Sequence, residues 1–169
     1  MPFRLTHIPL VDDERTVSPG GVTLTLRICQ PVVWVRLAPW VGVSHPDAVS
    51  FPAILDTGNN HSFLIPETLF RAWTHLDPAT VVTKHKVRVH GTELSCHGLN
   101  IDVCRTRDGS PTDRRAGRLQ ADRGIVIVGE SLESRFPRMP VLGVRCLRAS
   151  RATFTIDGGR GTYSLRGPG

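Results

Sequence analysis

Residues 53–65 read AILDTGNNHSFLI, the stretch that is most informative about the fold of the chain. An apolar run leads into the tripeptide Asp56-Thr57-Gly58, and a second apolar run resumes at Phe63. Short aliphatic and aromatic runs bounded by Gly and Asn are typical of β-strands. Gly58 lets the backbone of the connecting loop approach other groups where a Cβ atom would forbid it. The stretch therefore predicts a strand that delivers a carboxylate into a tight loop.

The rest of the chain predicts a mostly β protein. Its 169 residues are 40% hydrophobic, enough for one core, so we expect a single domain spanning residues 1–169. Frequent Val, Ile and Thr, together with 13 Pro and 16 Gly, favour many short strands joined by turns. Two short helices are predicted, at Pro66–Trp73 and Val144–Ala149. A last hairpin is predicted near Ala152–Leu165, with its turn at Gly158-Gly159.

The charge pattern argues against a nucleic-acid surface. The formal net charge is +6, but basic and acidic residues are interspersed, and Lys occurs only at Lys84 and Lys86. A dedicated nucleic-acid surface concentrates its charge on one element and adds a groove-reading motif or aromatic side chains. The Arg-rich region 105–123 also contains Asp108, Asp113 and Asp122, so we interpret it as a flexible, solvated insertion. Docking on RNA or DNA stays open as an alternative, but we expect that the protein binds no nucleic acid.

The cysteine content and the hydropathy of the chain indicate in which cell compartment we expect the protein. Four cysteines are present, and a chain of 169 residues does not need disulfides to fold. The first seven residues lack the apolar core of a secretory signal, and no apolar stretch is long enough to cross a bilayer. We therefore expect reduced thiols, a cytoplasmic location and no membrane association.

A second short motif follows the first at a distance. Pro140-Val141-Leu142-Gly143 is an aliphatic-aliphatic-Gly segment, followed by the predicted helix and the terminal hairpin. This order, from about Thr23 to Leu165, resembles the retropepsin-like aspartic proteases. The resemblance implies a closed β-barrel of the acid protease fold, in which Val141, Leu142 and Gly143 cross beside the Asp56 loop and brace it. It also implies that Thr57 bonds across to the opposite loop, a structural role inside the site.

The chemistry implied by this resemblance needs two carboxylates. One carboxylate acts as a base toward water and the other carboxyl group acts as an acid toward the carbonyl oxygen. Because two carboxyl groups at close range cannot both be ionised, they share one proton. The chain has a single Asp-Thr-Gly; Asp157-Gly158-Gly159 lacks the hydroxyl. The second carboxylate must come from another copy, so we predict a homodimeric aspartic endopeptidase with Asp56 near a two-fold axis. Its substrate would be an extended peptide or protein, and no cofactor is implied.

One residue departs from the family pattern. Retroviral members usually carry Ala after Asp-Thr-Gly and many cellular members Ser or Thr, whereas this chain has Asn59. The amide could donate a hydrogen bond to Asp56 or could crowd the site. An alternative function is therefore a catalytically inactive peptide-binding or dimerisation module of the same fold. For the dimer interface, the resemblance implies the Asp56 loop together with terminal strands, Phe3–Leu10 or Gly161–Leu165.

The family covers its substrate with a hairpin flap. Val87–Cys96 is predicted to be a hairpin that turns near His90-Gly91, so His90, Gly91 and Thr92 are the candidate flap tip. A flap that closes over an extended peptide would pair backbone groups with it by strand addition.

Two other groups of residues in the sequence could carry chemistry. His85, His90, Cys96, His97 and Cys104 lie within about twenty residues, but no Cys-x-x-Cys or His-x-x-x-His pair is present, so we predict no metal site. A Cys–His nucleophilic pair is compatible with the composition, although no oxyanion-stabilising loop accompanies it. The tryptophans, Trp34, Trp40 and Trp73, are expected in the core or at an interface.

Overall fold

The structure is a computed structural model that describes residues 3–41, 44–89, 91–107 and 109–167. β-strands dominate these ranges. The strands are β1 (Arg4–Pro9), β2 (Arg15–Val17), β3 (Leu24–Leu26), β4 (Val32–Pro39), β5 (Phe51–Asp56), β6 (Phe63–Pro66), β7 (Thr83–Val89), β8 (Thr92–His97), β9 (Leu99–Arg107), β10 (Ser110–Leu119), β11 (Ile125–Val128), β12 (Val141–Gly143), β13 (Thr153–Asp157) and β14 (Thr162–Arg166). The α-helices are α1 (Glu67–Thr74) and α2 (Val144–Ala149). The prediction of a mostly β protein with two short helices is confirmed.

The strands form three sheets. The largest has nine strands in the order β10-β9-β4-β5-β12-β6-β11-β8-β7, a second has the order β1-β14-β13, and β2 pairs with β3. Within the described ranges the large sheet ends at β10 on one side and at β7 on the other. The strand pairing of these ranges therefore does not close the sheet into the barrel that the resemblance implied.

The centre of the large sheet is covered on both faces. All four residues of β6 and all four of β11 are buried. One face of this region contributes to the main core, while Leu64, Val126 and Val128 pack in a second cluster with Val89 and Leu94. Burial on both faces explains why these strands read as continuous apolar runs rather than alternating ones.

The three tryptophans divide between core and surface. Trp73 is fully buried, stacks on Phe51 with ring centroids 4.5 Å apart, and donates a hydrogen bond from Nε1 to Pro19 O at 2.8 Å. Trp34 is also buried, as predicted. Trp40 is half exposed, with the Lys84 ammonium over its ring.

The region expected as a flexible insertion contains a long strand. In place of a loop, β10 pairs antiparallel with β9, and the register shifts between Pro111 and Arg115 and again before Gly117. Arg118 donates to Asp102 across the pair at 2.7 Å, and Leu119 at the end of β10 is fully buried. The expected loop is replaced at 110–119 by a strand, because polar residues can pair in an exposed strand as well as apolar ones can. The flexibility of 105–123 stays a prediction.

The terminal strands are arranged differently from the expectation for a dimer edge. β14 is the central strand of its sheet, with β1 on one side and β13 on the other. Both of its hydrogen-bonding edges are therefore used within the chain. In the described ranges the outer strands of this sheet are β1 and β13, so Gly161–Leu165 does not offer an unpaired edge.

Candidate active site

Asp56 is the last residue of β5, and its side chain is exposed although most of the strand is buried. The Gly58 N–H donates to Asp56 Oδ1 at 2.8 Å, and the Asn59 N–H donates to the Asp56 carbonyl at 3.2 Å. A Cβ atom on Gly58 would lie 3.2 Å from the same Oδ1, so the absence of a side chain helps this close approach. The loop thus orients one carboxylate oxygen and leaves the group open to solvent.

The short strand β12 holds this loop from the protein interior. It lies between β5, with which it is parallel, and β6, with which it is antiparallel. Gly143 is paired with Asp56, and its N–H donates to Ser62 O at 3.1 Å. The Val144 N–H donates to Asn59 O at 3.0 Å. Both ends of the Asp56 loop are therefore fixed to one segment of chain.

Gly143 is required by this arrangement. A Cβ atom at this position would run into the backbone carbonyl of His61 and would lie 2.6 Å from Asn59 O. These are backbone atoms of the same loop, so no side-chain movement could relieve the contact. Val141 and Leu142 are buried beside β5 and β6. The structure thus brings Val141, Leu142 and Gly143 to the Asp56 loop.

The other two predicted loop residues have different environments. Thr57 is exposed, and within the described residues its hydroxyl has no hydrogen-bond partner. A bond across to the opposite loop requires a second chain, so that role stays a prediction. Asn59 is partly buried, and its Oδ1 accepts from the His61 N–H at 2.9 Å. The recorded hydrogen bond of this side chain stabilises the loop's own turn rather than contacting Asp56.

The predicted flap is a hairpin of β7 and β8. Val89 pairs with Thr92, and Gly91 in the connection has a φ of 80°, the left-handed region that favours glycine. His90 lies outside the described residues. β7 is the last strand of the large sheet, so the hairpin stands at a sheet edge.

A cleft of about 290 Å³ separates this hairpin from the Asp56 loop. Asn60–Ser62 forms one side and Lys86–Arg88 of β7 the other, with Cys96 and Val126 between them; Arg123, Gly124 and Arg145 complete the lining. Arg123 and Arg145 are not among the site residues predicted from the sequence. They come from different parts of the chain, and no motif links them.

The cysteines and histidines do not form a catalytic or metal cluster in the described part of the chain. No group of three or more His, Cys, Asp or Glu side chains there could hold a metal ion. Burial raises the pKa of the Cys96 and Cys104 thiols and raises that of Cys146 to about 12. A thiol that stays protonated is a poor nucleophile, which disfavours these three buried cysteines as the nucleophile of a Cys–His pair.

The two α-helices of the described ranges span eight and six residues, so neither is long enough to cross a bilayer.

Comparisons with known proteins give one similarity. No protein-family model and no curated protein matches the sequence. Among solved structures, the chain is similar to a retropepsin-like aspartic protease from Rickettsia conorii, with 10% sequence identity and a TM-score of 0.38. The match covers 98% of this chain and 92% of that chain. Similarity at this level does not transfer catalytic residues from one chain to the other.

Proposed function

We propose that this chain is an aspartic endopeptidase of retropepsin-like fold that acts as a homodimer. The observation that carries the proposal is the exposed carboxylate of Asp56, held in a tight loop that β12 braces from behind. An exposed carboxylate on a rigid support can meet a second carboxylate without rearrangement of the loop. Rigid support of this kind is what a catalytic group needs to keep its geometry through the reaction.

The second carboxylate comes from the other copy. Among the described residues, Asp56 has no hydrogen bond to another carboxylate; the bond recorded for its side chain is the one from Gly58. A two-fold axis beside Asp56 places the two loops face to face. Two carboxylates at roughly 3 Å share one proton, the arrangement known in aspartic proteases. The ionised group then takes a proton from water while the protonated group donates to the substrate carbonyl.

An extended peptide fits the remaining geometry. The cleft between Asn60–Ser62 and Lys86–Arg88 continues from the Asp56 loop toward the β7–β8 hairpin. A hairpin at a sheet edge can pair its backbone with an extended chain and can close over it. We assign His90, Gly91 and Thr92 to the tip of this flap.

The dimer interface includes the Asp56 loop and one of the two outer strands of the terminal sheet. β1 is irregular, with a register shift between Leu5 and Ile8 and a positive φ of 54° at His7. β13 pairs with β14 in unbroken register, and Ile156 on it is 52% exposed. A regular strand with an exposed aliphatic side chain is the better edge for pairing with a second copy.

The proposal includes a cytoplasmic location. It is supported by the state of the four cysteines, which are free thiols.

The test is cleavage of a denatured protein mixture by the purified chain at acidic to neutral pH, with the new termini identified by mass spectrometry. Asp56→Asn protein is the control. Cleavage by the natural chain alone supports the proposal. A natural chain that binds peptides without cutting them would instead support the inactive peptide-binding module.

A further inference from the structure

The cleft beside the Asp56 loop has an excess of positive charge. Its lining includes Lys86, Arg88, Arg123 and Arg145. Lys86 is paired with Glu93 at 2.7 Å, but no described carboxylate forms a salt bridge with Arg88, Arg123 or Arg145. A cluster of guanidinium groups without carboxylate partners indicates affinity for an anion.

Asp122, which precedes Arg123 in the chain, already accepts hydrogen bonds from a backbone N–H and from a hydroxyl group. Asp122 Oδ1 accepts from the Arg123 N–H at 2.8 Å and from Ser62 Oγ at 3.1 Å. The carboxylate is therefore engaged in holding the loop, and the Arg123 guanidinium remains available to a ligand. Even when Glu93 and Asp122 are both counted, the four basic side chains exceed them by two charges.

Arg123 and Arg145 line the same cleft as Cys96. Burial raises the pKa of the Cys96 thiol there, and the charges of both arginines oppose that rise. Arg145 Nε donates to Asn60 O at 3.1 Å, which orients this guanidinium from the Asp56 loop itself. Two guanidinium groups that line one cleft, one of them held by the loop, form a site suited to a carboxylate.

The cleft is close to the catalytic carboxylate. Asn60 follows Asp56 by four residues, which even in a fully extended chain span no more than about 14 Å. An extended substrate has the same rise per residue. A substrate side chain in the cleft therefore belongs to one of the four residues next to the cleaved bond. Because the proposed two-fold axis repeats the cleft in the second copy, the same holds on the other side of the bond.

We propose that this cleft is a specificity subsite for an acidic side chain, so that the protease prefers substrates with Asp or Glu within four residues of the cleaved bond. The inference rests on the proposed endopeptidase function for the position of the bond. The binding preference itself depends only on the cleft.

The first experiment measures cleavage. Peptides cut from a denatured protein mixture are sequenced, and the frequency of Asp and Glu at each of the four positions on either side of the cut is compared with the mixture. We expect enrichment at one distance from the cut, on both sides of it, for the natural chain and for Arg148→Gln, since Arg148 is exposed on α2 outside the cleft. Arg123→Gln should lose it. Equal enrichment in the natural chain and in Arg123→Gln, or no enrichment in either, overturns the subsite.

The second experiment measures binding and does not need catalysis. Asp56→Asn protein is titrated with fluorescein-labelled decapeptide pools of mixed sequence in which two positions are all Glu or all Gln. We expect about tenfold tighter binding of the Glu pool, equivalent to about 1.4 kcal/mol, and a smaller difference at high salt because the charges are partly exposed. The Arg123→Glu substitution, made in the Asp56→Asn protein, should reverse the binding preference. This variant should bind most tightly to a pool in which the same two positions are all Lys.

The outcomes separate the two proposals. A natural chain that cuts nothing, combined with a Glu preference in binding that depends on Arg123, overturns the endopeptidase and leaves the acidic-peptide site standing. Cleavage with equal binding of the Glu and Gln pools overturns the subsite and leaves the endopeptidase. Unfolding midpoints of Arg123→Gln and Arg123→Glu within error of the natural chain exclude loss of fold as the cause.

Discussion

Gly143 pairs directly with Asp56, across the parallel strands β12 and β5, although 87 positions separate them in the chain. The pairing leaves no room for a side chain at Gly143, because the carbonyl groups of Asn59 and His61 occupy the place of its Cβ atom. The residue that presents the candidate catalytic carboxylate is thus positioned by a residue that has no side chain of its own.

This contact predicts a large effect of a small substitution. Gly143→Ala forces the Asp56 loop away from β12, so we expect a loss of about 3 kcal/mol in the free energy of unfolding, measured by chemical denaturation. Gly158→Ala is the matched control, since a Cβ atom there would meet nothing within 4 Å, and it should change stability by less than about 0.5 kcal/mol. Equal stability of the two variants would contradict the proposed bracing.

The role of Asp56 is tested by an isosteric change. Asp56→Asn keeps an oxygen that can accept the Gly58 N–H, so the loop and the folded state should persist. An amide can neither share the dyad proton nor act as a base, so cleavage should fall by at least about a hundredfold. Peptide cleavage and the thermal unfolding midpoint are measured on the same preparation. Activity near that of the natural chain would exclude Asp56 as the catalytic group.

The pH dependence of cleavage should be bell-shaped. A pair of carboxylates that shares one proton is competent only between its first and second ionisation, so kcat/KM falls on both sides. Initial rates across acidic to neutral pH, with and without EDTA, provide the measurement. A rate that rises steadily into the alkaline range, or one that EDTA abolishes, would indicate a thiol or a metal mechanism instead.

Activity should depend on assembly. Each chain supplies one Asp56, so specific activity should fall on dilution below the dissociation constant of the dimer. An excess of Asp56→Asn chains mixed with the natural chain should reduce activity further, because mixed dimers are inactive. Undiminished activity of a demonstrated monomer would require a second acid within the chain.

A substitution on β13 tests whether this strand lies in the dimer interface. Ile156→Asp places a charge on the exposed face of the proposed interface strand and should raise the dimer dissociation constant at least about tenfold, measured by analytical ultracentrifugation. Ile28→Asp is the control, because Ile28 is 58% exposed and lies outside that sheet. If both variants dimerise like the natural chain, the interface does not include Ile156.

Stability should decrease at alkaline pH because of buried thiols. Burial raises the folded-state pKa of Cys146 to about 12, whereas an unfolded thiol ionises near pH 8.5. Above about pH 8.5 the unfolded chain releases protons that the folded chain keeps, so stability is lost as pH rises, by about 2 kcal/mol at pH 10 from this group. Denaturant midpoints from pH 7 to 10 should decrease, and Cys146→Ala should flatten the decrease. The same slope in both proteins would refute the assignment.

Much of the local structure could be predicted from the sequence. The apolar run before Asp56 and the run from Phe63 are strands β5 and β6, and the helix after Pro66 is present as α1. These features have local signals in the chain, namely short apolar runs bounded by turn residues and the tolerance of Pro at a helix start. The polarity of 105–123, by contrast, gave no sign of β10, because strand pairing there depends on a partner and not on apolar residues.

The sequence by itself determined that Asp56 ends a strand in a glycine loop and that an aliphatic-aliphatic-Gly segment is available to support it. Only the tertiary structure decided that β14 is enclosed by β1 and β13 and that Arg123 and Arg145 line one cleft with Asn60. Edge positions and charge clusters arise when distant segments are brought together. No periodicity or spacing in the chain records that outcome, since it is set by the packing of the whole sheet.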